Sequence, residues 1–400
     1  MSENTLSPVP TPSPAGARPW RDPHRYLWLL SPFFALGAAW NLLNFWRSGA
    51  EFWLWMLPAV MYILIPLVDA LLGPDGRNPP DGSTAALEAD NYYRAIVVTF
   101  IPFQFAATII GCALAASMPL SATGWLGLVL TVGGINGVAI NTAHELGHKL
   151  PRWERWLSRI TLAPVAYGHF YIEHNRGHHL RVATPEDPAS ARMGESFWAF
   201  LPRTMIGSVR SAWHIETTSL AAHGRPTWHW RNEVLQAWAM TIVLFGALGL
   251  AFGPKVLVFL VVQAFYGASL LEVVNYIEHY GLLRALRPDG RREPCDVTHS
   301  WNTSHVLSNL FLYQLQRHSD HHAHPGRRYQ ALRHFAESPQ LPSGYPAMLL
   351  LAYVPWLWFR VMDPKVLAHY GGDLTRANLH PPRRHALMAR YGSAEPAAST

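Results

Sequence analysis

Residues 316–325 read Gln316-Arg317-His318-Ser319-Asp320-His321-His322-Ala323-His324-Pro325, which places four of the chain's 21 histidines within ten residues. On a helix His318, His321 and His322 stand at i, i+3 and i+4, share one face and can direct their imidazoles at one centre. Neutral imidazole is the commonest nitrogen ligand of transition metals, although one such run also suits a solvated polar helix face. Three further boxes shift the balance. His144-Glu-Leu-Gly-His148 places two histidines at i, i+4, Glu173-His-Asn-Arg-Gly-His-His179 places three (His174, His178 and His179), and Asn275-Tyr-Ile-Glu-His-Tyr-Gly281 adds His279. Nine histidines exceed the three or four protein ligands of a single zinc and suit two metal ions of four to five ligands each. The fold must therefore bring four separated stretches to one place.

Composition says where that place is. Of 400 residues 50% are hydrophobic, only 14% are charged, and 17 are Trp, the balance of a membrane protein. Apolar runs of about the ~20 residues a helix needs to cross a bilayer begin with Tyr26–Trp46 and Phe52–Leu72, paired by a tight turn holding Arg47 and Glu51. A polar stretch from Gly73 to Asn91, with Pro79-Pro80 and Asp81-Gly82, interrupts them. Ile96–Ala116 and Gly124–Thr142 follow, then, after a polar and aromatic block from Ala143 to Asn232, Glu233–Phe252 and Val256–Val274. Tyr345–Phe359 is shorter and holds Pro346 and Pro355, so an interfacial or re-entrant helix is expected there and not a seventh span.

Arg47 and Lys255 are the basic residues of the turns on one side, while nearly all the others lie in the tail, the Gly73 loop and the large blocks. The positive-inside rule assigns that richer side, with both termini and all four boxes, to the cytoplasm. The expected fold is an all-α integral membrane protein, six transmembrane helices with a cytoplasmic helical cap carrying the histidine boxes. Residues 1–22, rich in Pro, Ser and Thr, are expected to be a disordered tail, 23–375 the membrane domain with the metal site, and 376–400 a flexible tail. Cys112 and Cys295 are the two cysteines, so neither a disulfide framework nor a Cys-x-x-Cys metal site is available, and a sulfur-ligated electron carrier must be a separate polypeptide.

Glu145, Glu173, Glu278 and Asp320 each adjoin a box histidine, where carboxylates commonly orient imidazoles and raise their basicity; plain surface charge is the alternative. Asn136, Asn141 and Glu272 lie within spans, where polar groups face a functional cavity or bond neighbouring helices, whereas Asp69 and Gln104 read as packing or interfacial residues. Trp53, Trp55, Met61 and Tyr62 of the second span can line a substrate tunnel or simply pack against lipid. Arg317, Arg327, Arg328 and Arg333 surround the last box and suggest a basic rim for an acidic electron carrier or for anionic lipid headgroups.

The pattern resembles the integral-membrane alkane monooxygenases of the histidine-box group that includes membrane desaturases. The resemblance rests on Asn141-Thr-Ala-His-Glu-Leu-Gly-His-Lys149, Glu173–His179, Val182-Ala-Thr-Pro-Glu-Asp-Pro188, Asn275-Tyr-Ile-Glu-His-Tyr-Gly-Leu-Leu-Arg284 and Leu315–Pro325, and runs from about Tyr26 to Gly372. It implies a di-iron centre held by the nine box histidines, which uses O2 to convert the terminal methyl of medium-chain alkanes to a primary alcohol. It also implies electrons from a rubredoxin, itself reduced by an NAD(P)H-dependent reductase, and a place in the bacterial inner membrane with no nucleic-acid partner. His299, Trp301, Asn302 and His305 match a family segment without being expected as ligands. In the family a bulky residue often stands at the position of Met61 and limits chain length.

Other classes remain in view. A membrane fatty-acid desaturase or an aromatic methyl hydroxylase of the same group would share the boxes. His144-Glu-x-x-His148 alone also satisfies the zinc metalloprotease pattern, with Glu145 as general base, but leaves seven box histidines without a role. A metal or haem transporter would spread its histidines along the spans.

Overall fold

Six helices are long and apolar enough to cross a membrane in the computed structural model, which describes residues 20–392. They are α1 (Leu27–Ser48), α2 (Glu51–Leu72), α3 (Asn91–Ser117), α4 (Ala122–Gly147), α8 (Glu233–Phe252) and α9 (Lys255–His279). Among the described residues the remaining elements are also helical and no strand forms. Between α4 and α8 lie the surface helix α5 (Arg152–Leu162), the box helix α6 (170–181) and α7 (Phe197–Ala222); after α9 come α10 (Val306–Phe311), α11 (His318–Ala323), α12 (Tyr345–Ala352), α13 (Pro355–His369) and α14 (Arg384–Tyr391).

Local chemistry sets the ends of the spans. Asp90, Ser121 and Asn232 accept backbone N–H groups at the starts of α3, α4 and α8, satisfying donors that a helix leaves open. Gly49 ends α1 in the left-handed region that glycine adopts without penalty. Glu51 accepts bonds from the Ser121 backbone N–H (2.7 Å) and hydroxyl, tying two turns together on the side away from the boxes.

The close pair is α4 with α9. A Cβ on Gly133 would stand 2.6 Å from the Gln263 carbonyl, and one on Gly137 would stand 2.9 Å from the carbonyl of Gly267, so the glycines let two backbones touch. Beside them Gln104 donates to Asn136 (3.0 Å) and Asn136 donates to Gln263 (2.8 Å), a hydrogen-bonded link of α3, α4 and α9 at membrane depth. Such contacts are worth about 0.6 kcal/mol each on average in a bilayer. Their joint effect is to fix the angle at which α4 and α9 deliver His144 and His279 to the same end of the bundle.

The expected tails fall only partly within the described residues. Residues 1–19 of the expected N-terminal tail and 393–400 of the expected C-terminal tail lie outside the described residues. Inside them the chain is anchored: Asp22 accepts from Trp28 Nε1 and the Tyr93 hydroxyl. The stretch from 376, expected to be flexible, is built into the fold, because Asn378 and His380 exchange backbone bonds with Met193 and Leu387 packs over Gly194. α12 and α13, where an interfacial or re-entrant helix is expected, are two helices bent by 120° at a break just before Pro355.

Candidate metal centre

The nine box histidines converge in two groups. His144, His148, His174, His179 and His321 form one, His178, His279, His318 and His322 the other, and within each group the ligand atoms lie within 4.8 Å of one another. The groups adjoin: the His179 and His322 ring centroids are 4.5 Å apart, and those of His174 and His178 are 5.2 Å apart.

Local helix geometry explains the sorting. His174–His178 adopts a π turn, whose extra residue brings His174 and His179, five apart, onto one side and sends His178 to the other. On α11, His318 and His322 at i, i+4 serve one group while His321 serves the other. The expectation that these three would point at one centre is therefore corrected: a short helix wedged between two groups offers each a different edge. His144 and His148 come from the end of α4, and His279 is the last residue of α9.

This donor set fits metal ions. His144 Nε2 and His321 Nε2 stand 2.9 Å apart, as do those of His318 and His322, and Nε2 of His148, His178 and His279 is buried without a hydrogen-bond partner. Two facing imidazole nitrogens share at most one proton, so the converging lone pairs call for cations. Burial first, and then neighbouring imidazoles, hold His148, His174, His179, His318, His321 and His322 far below the ordinary histidine pKa, hence neutral and ready to ligate.

The carboxylates divide. Glu278 Oε2 lies 3.2 Å from His318 Nε2 while its other oxygen accepts from the Tyr345 hydroxyl at 2.8 Å, so it reaches the second group. The other three candidates turn to cations instead: Glu145 to Lys149 (3.0 Å), Glu173 to Arg181 (2.8 Å) and Asp320 to Arg327 (2.5 Å), with the His324 ring also beside Asp320 at 2.9 Å. Burial pushes the Glu173 carboxyl up to about 7 despite Ser211 and Arg181. Asp187, not among the candidates although its segment carried part of the resemblance, lies 2.9 Å from His178 Nδ1. Burial would raise its carboxyl, but His178 and Ser190 override that and hold it at about 2.

An apolar cavity of about 890 Å³ of empty space, part of it open to the exterior, runs among the spans to this centre. Phe34, Met61, Ile65, Leu271, Phe311 and Leu349 are among its walls, and its inner end is formed by His144 and His174 of one group and His318 of the other, with Glu278. Of the expected tunnel residues, Met61 and Asn141 line it; Trp53, Trp55, Asn136 and Glu272 do not. Asn136 is consumed in the α3–α4–α9 link, and Glu272 accepts from the Tyr167 (2.5 Å) and Thr204 (2.7 Å) hydroxyls. No sequence pattern marks Phe34 or Leu349, because the cavity is assembled from helices far apart in the chain.

The basic rim is also corrected. Arg317 is 8% exposed and donates to the backbone carbonyls of Leu332, Asp75 and Arg77, while burial lowers its pKa to about 10. Arg327 pairs with Asp320, Arg328 with Glu154, and Arg333 with Asp81, so these arginines lock the last box to the Gly73 loop and α5. His299 pairs with Glu293 and Asp296, and Trp301 and Asn302 seat the loop before α11: the Trp301 N–H donates to the Glu278 carbonyl at 2.8 Å, and Asn302 accepts from the Ser319 N–H at 2.9 Å.

A family model described as fatty acid desaturase matches residues 119–352. The chain is 47% identical over 378 residues to the alkane 1-monooxygenase of Acinetobacter baylyi, covering 94% of this chain and 93% of that relative. It is 44% identical over 393 residues to alkane 1-monooxygenase 1 of Alcanivorax borkumensis, covering 98% and 97%. The xylene/toluene monooxygenase hydroxylase component XylM of Pseudomonas putida is more distant, 26% identical over 332 residues, covering 82% and 85%.

Proposed function

Because the chain belongs to the alkane 1-monooxygenases, histidine-box relatives of the membrane fatty acid desaturases, we propose that it hydroxylates the terminal methyl of medium-chain alkanes, using O2, two irons and electrons from a rubredoxin. The observation that carries this reading is the apolar cavity whose inner end touches histidines of both groups. An alkane offers no group for hydrogen bonding, so only shape and water exclusion can hold it, and a wall of Phe, Leu, Ile and Met side chains does both.

Two iron ions bound by the five- and four-histidine groups would supply the activation of dioxygen. The protein's part is positional. Asp187 holds the His178 ring through Nδ1, leaving Nε2 to face the second group. Glu278, anchored by Tyr345, brings a negative charge to a cluster of neutral ligands at the cavity end. Asn141 donates to the Leu312 carbonyl at 2.6 Å and so fixes the α4 side of the cavity beside His144.

The metalloprotease reading loses support, since Glu145 is bonded to Lys149 and does not line the cavity, and its two flanking histidines belong to a five-membered group. The positive-inside reading assigns the centre to the cytoplasmic face of the inner membrane, where a rubredoxin and its reductase reach it. Incubation of the purified protein with octane, O2, rubredoxin, reductase and NAD(P)H tests the proposal. 1-Octanol as the product supports it; an alkene, or turnover confined to xylene, would transfer the chain to the desaturase or aromatic hydroxylase reading.

A further inference from the structure

A second cavity, of about 1260 Å³ of empty space, part of it open to the exterior, lies at the level where α8 begins, between α5 and the loop from α7 to α8. Its walls are unusually cationic. Arg159 and Arg176 meet two carboxylates there, Glu233 and Glu216, and that set is closed on itself. Arg152, Arg155, Arg225 and Arg231 line the same cavity and make no ion pair among the described residues. Four uncompensated guanidinium groups thus face one concavity.

Its depth relative to the bilayer follows from its neighbours. Asn232 caps the first turn of the spanning helix α8, so Arg231 and Trp230 stand two and three residues before the membrane segment begins. Arg152 stands five residues beyond the end of α4. Two indoles line the cavity and are open to the exterior, Trp156 at 44% and Trp230 at 72% exposed. Exposed Trp beside Arg is the composition of a headgroup layer, where an amphipathic ring and a cation are both at home.

We propose that this cavity is a binding site for the phosphodiester headgroup of an anionic phospholipid. Guanidinium groups match phosphate oxygens in paired donor geometry, and the exposed Trp156 and Trp230 indoles accommodate the adjoining glycerol and upper acyl chains. The site communicates with the metal centre through Arg176, which lies between His174 and His178 on α6 and donates to Glu216 at 2.9 Å in the cavity wall. Occupancy steadies the wall against which the second histidine box is braced.

The test uses the full-length protein purified in detergent and stripped of lipid. Native mass spectrometry then compares retention of phosphatidylglycerol, phosphatidylcholine and inorganic phosphate by wild type, Arg155→Gln/Arg231→Gln, Arg155→Lys/Arg231→Lys, and an equal charge removal at the exposed Arg287→Gln/Arg291→Gln. The site predicts preference for phosphatidylglycerol over phosphatidylcholine, lost by about tenfold in the cavity glutamine pair and kept in the lysine and control pairs. Equal retention of both lipids by wild type overturns it, as does an equal loss in the control pair. Binding of inorganic phosphate without lipid preference would mark a small-anion site instead. Unchanged lipid retention in the glutamine pair with weakened rubredoxin-supported turnover would assign the surface to a protein carrier and equally overturn the lipid proposal.

Discussion

Asp187 Oδ2 lies 2.9 Å from His178 Nδ1, and the Ser190 hydroxyl donates to the same carboxylate oxygen at 2.7 Å. A carboxylate so held orients the ring and leaves Nε2 for a metal ion. Asp187→Asn is expected to lower iron affinity by about 10- to 100-fold, the usual cost of losing an outer partner of a ligand histidine. Chelator competition followed by elemental analysis measures this; unaltered iron retention would remove Asp187 from the site.

Glu145 and Lys149 are both buried and 3.0 Å apart. Removing one partner leaves a buried charge, which typically costs about 3–5 kcal/mol, whereas removing both is far less damaging. Glu145→Ala should therefore lower thermal stability sharply and Glu145→Ala/Lys149→Met should recover much of it. If Glu145 were instead a general base, the double variant would be as stable as predicted but would abolish turnover.

Met61 lines the apolar cavity, and its sulfur is 3.9 Å from where a Cβ on Gly134 would stand. Met61→Trp adds bulk to a wall of the cavity. Turnover of longer alkanes is expected to fall about tenfold or more while the shortest substrates are spared, roughly the discrimination one or two methylenes earn in a hydrophobic pocket. A chain-length profile that does not move would separate Met61 from substrate selection.

Gly137 and Gly37 offer a paired test of the bundle. A Cβ at Gly137 meets the Leu270 side chain at 2.8 Å and the Gly267 carbonyl at 2.9 Å, but one at Gly37 has nothing within 4 Å. Gly137→Val should separate α4 from α9 and cost iron retention as well as thermal stability. Gly37→Ala should be neutral or stabilise by up to about 1 kcal/mol, the difference in helix propensity. Similar melting of the two variants would contradict the close packing.

What could be read from the chain follows a physical division. The spans and the nine histidines were legible because apolar length and imidazole spacing are local properties. The division of those histidines was not, because it depends on a π turn at His174–His178 and on how α11 is wedged. The arginines beside the last box looked like a rim because adjacency in sequence says nothing of direction; their partners Glu154 and Asp81 lie far away along the chain. Asn136 and Glu272 are polar residues at membrane depth, but neighbouring helices satisfy them. Asp187 carried no signal of its own, since an acidic pair, Glu186-Asp187, between two prolines is ordinary until the fold sets one of its members against His178.

On the function proposed here the two histidine groups hold two irons side by side. Elemental analysis of the purified protein, repeated on His322→Ala and His144→Ala, tests it most directly. Groups of five and four imidazoles predict about two irons per chain, falling toward about one when His322 is lost from the four-membered group. A single zinc per chain that survives His322→Ala and disappears with His144→Ala would rule out the two-iron centre and leave a mononuclear site.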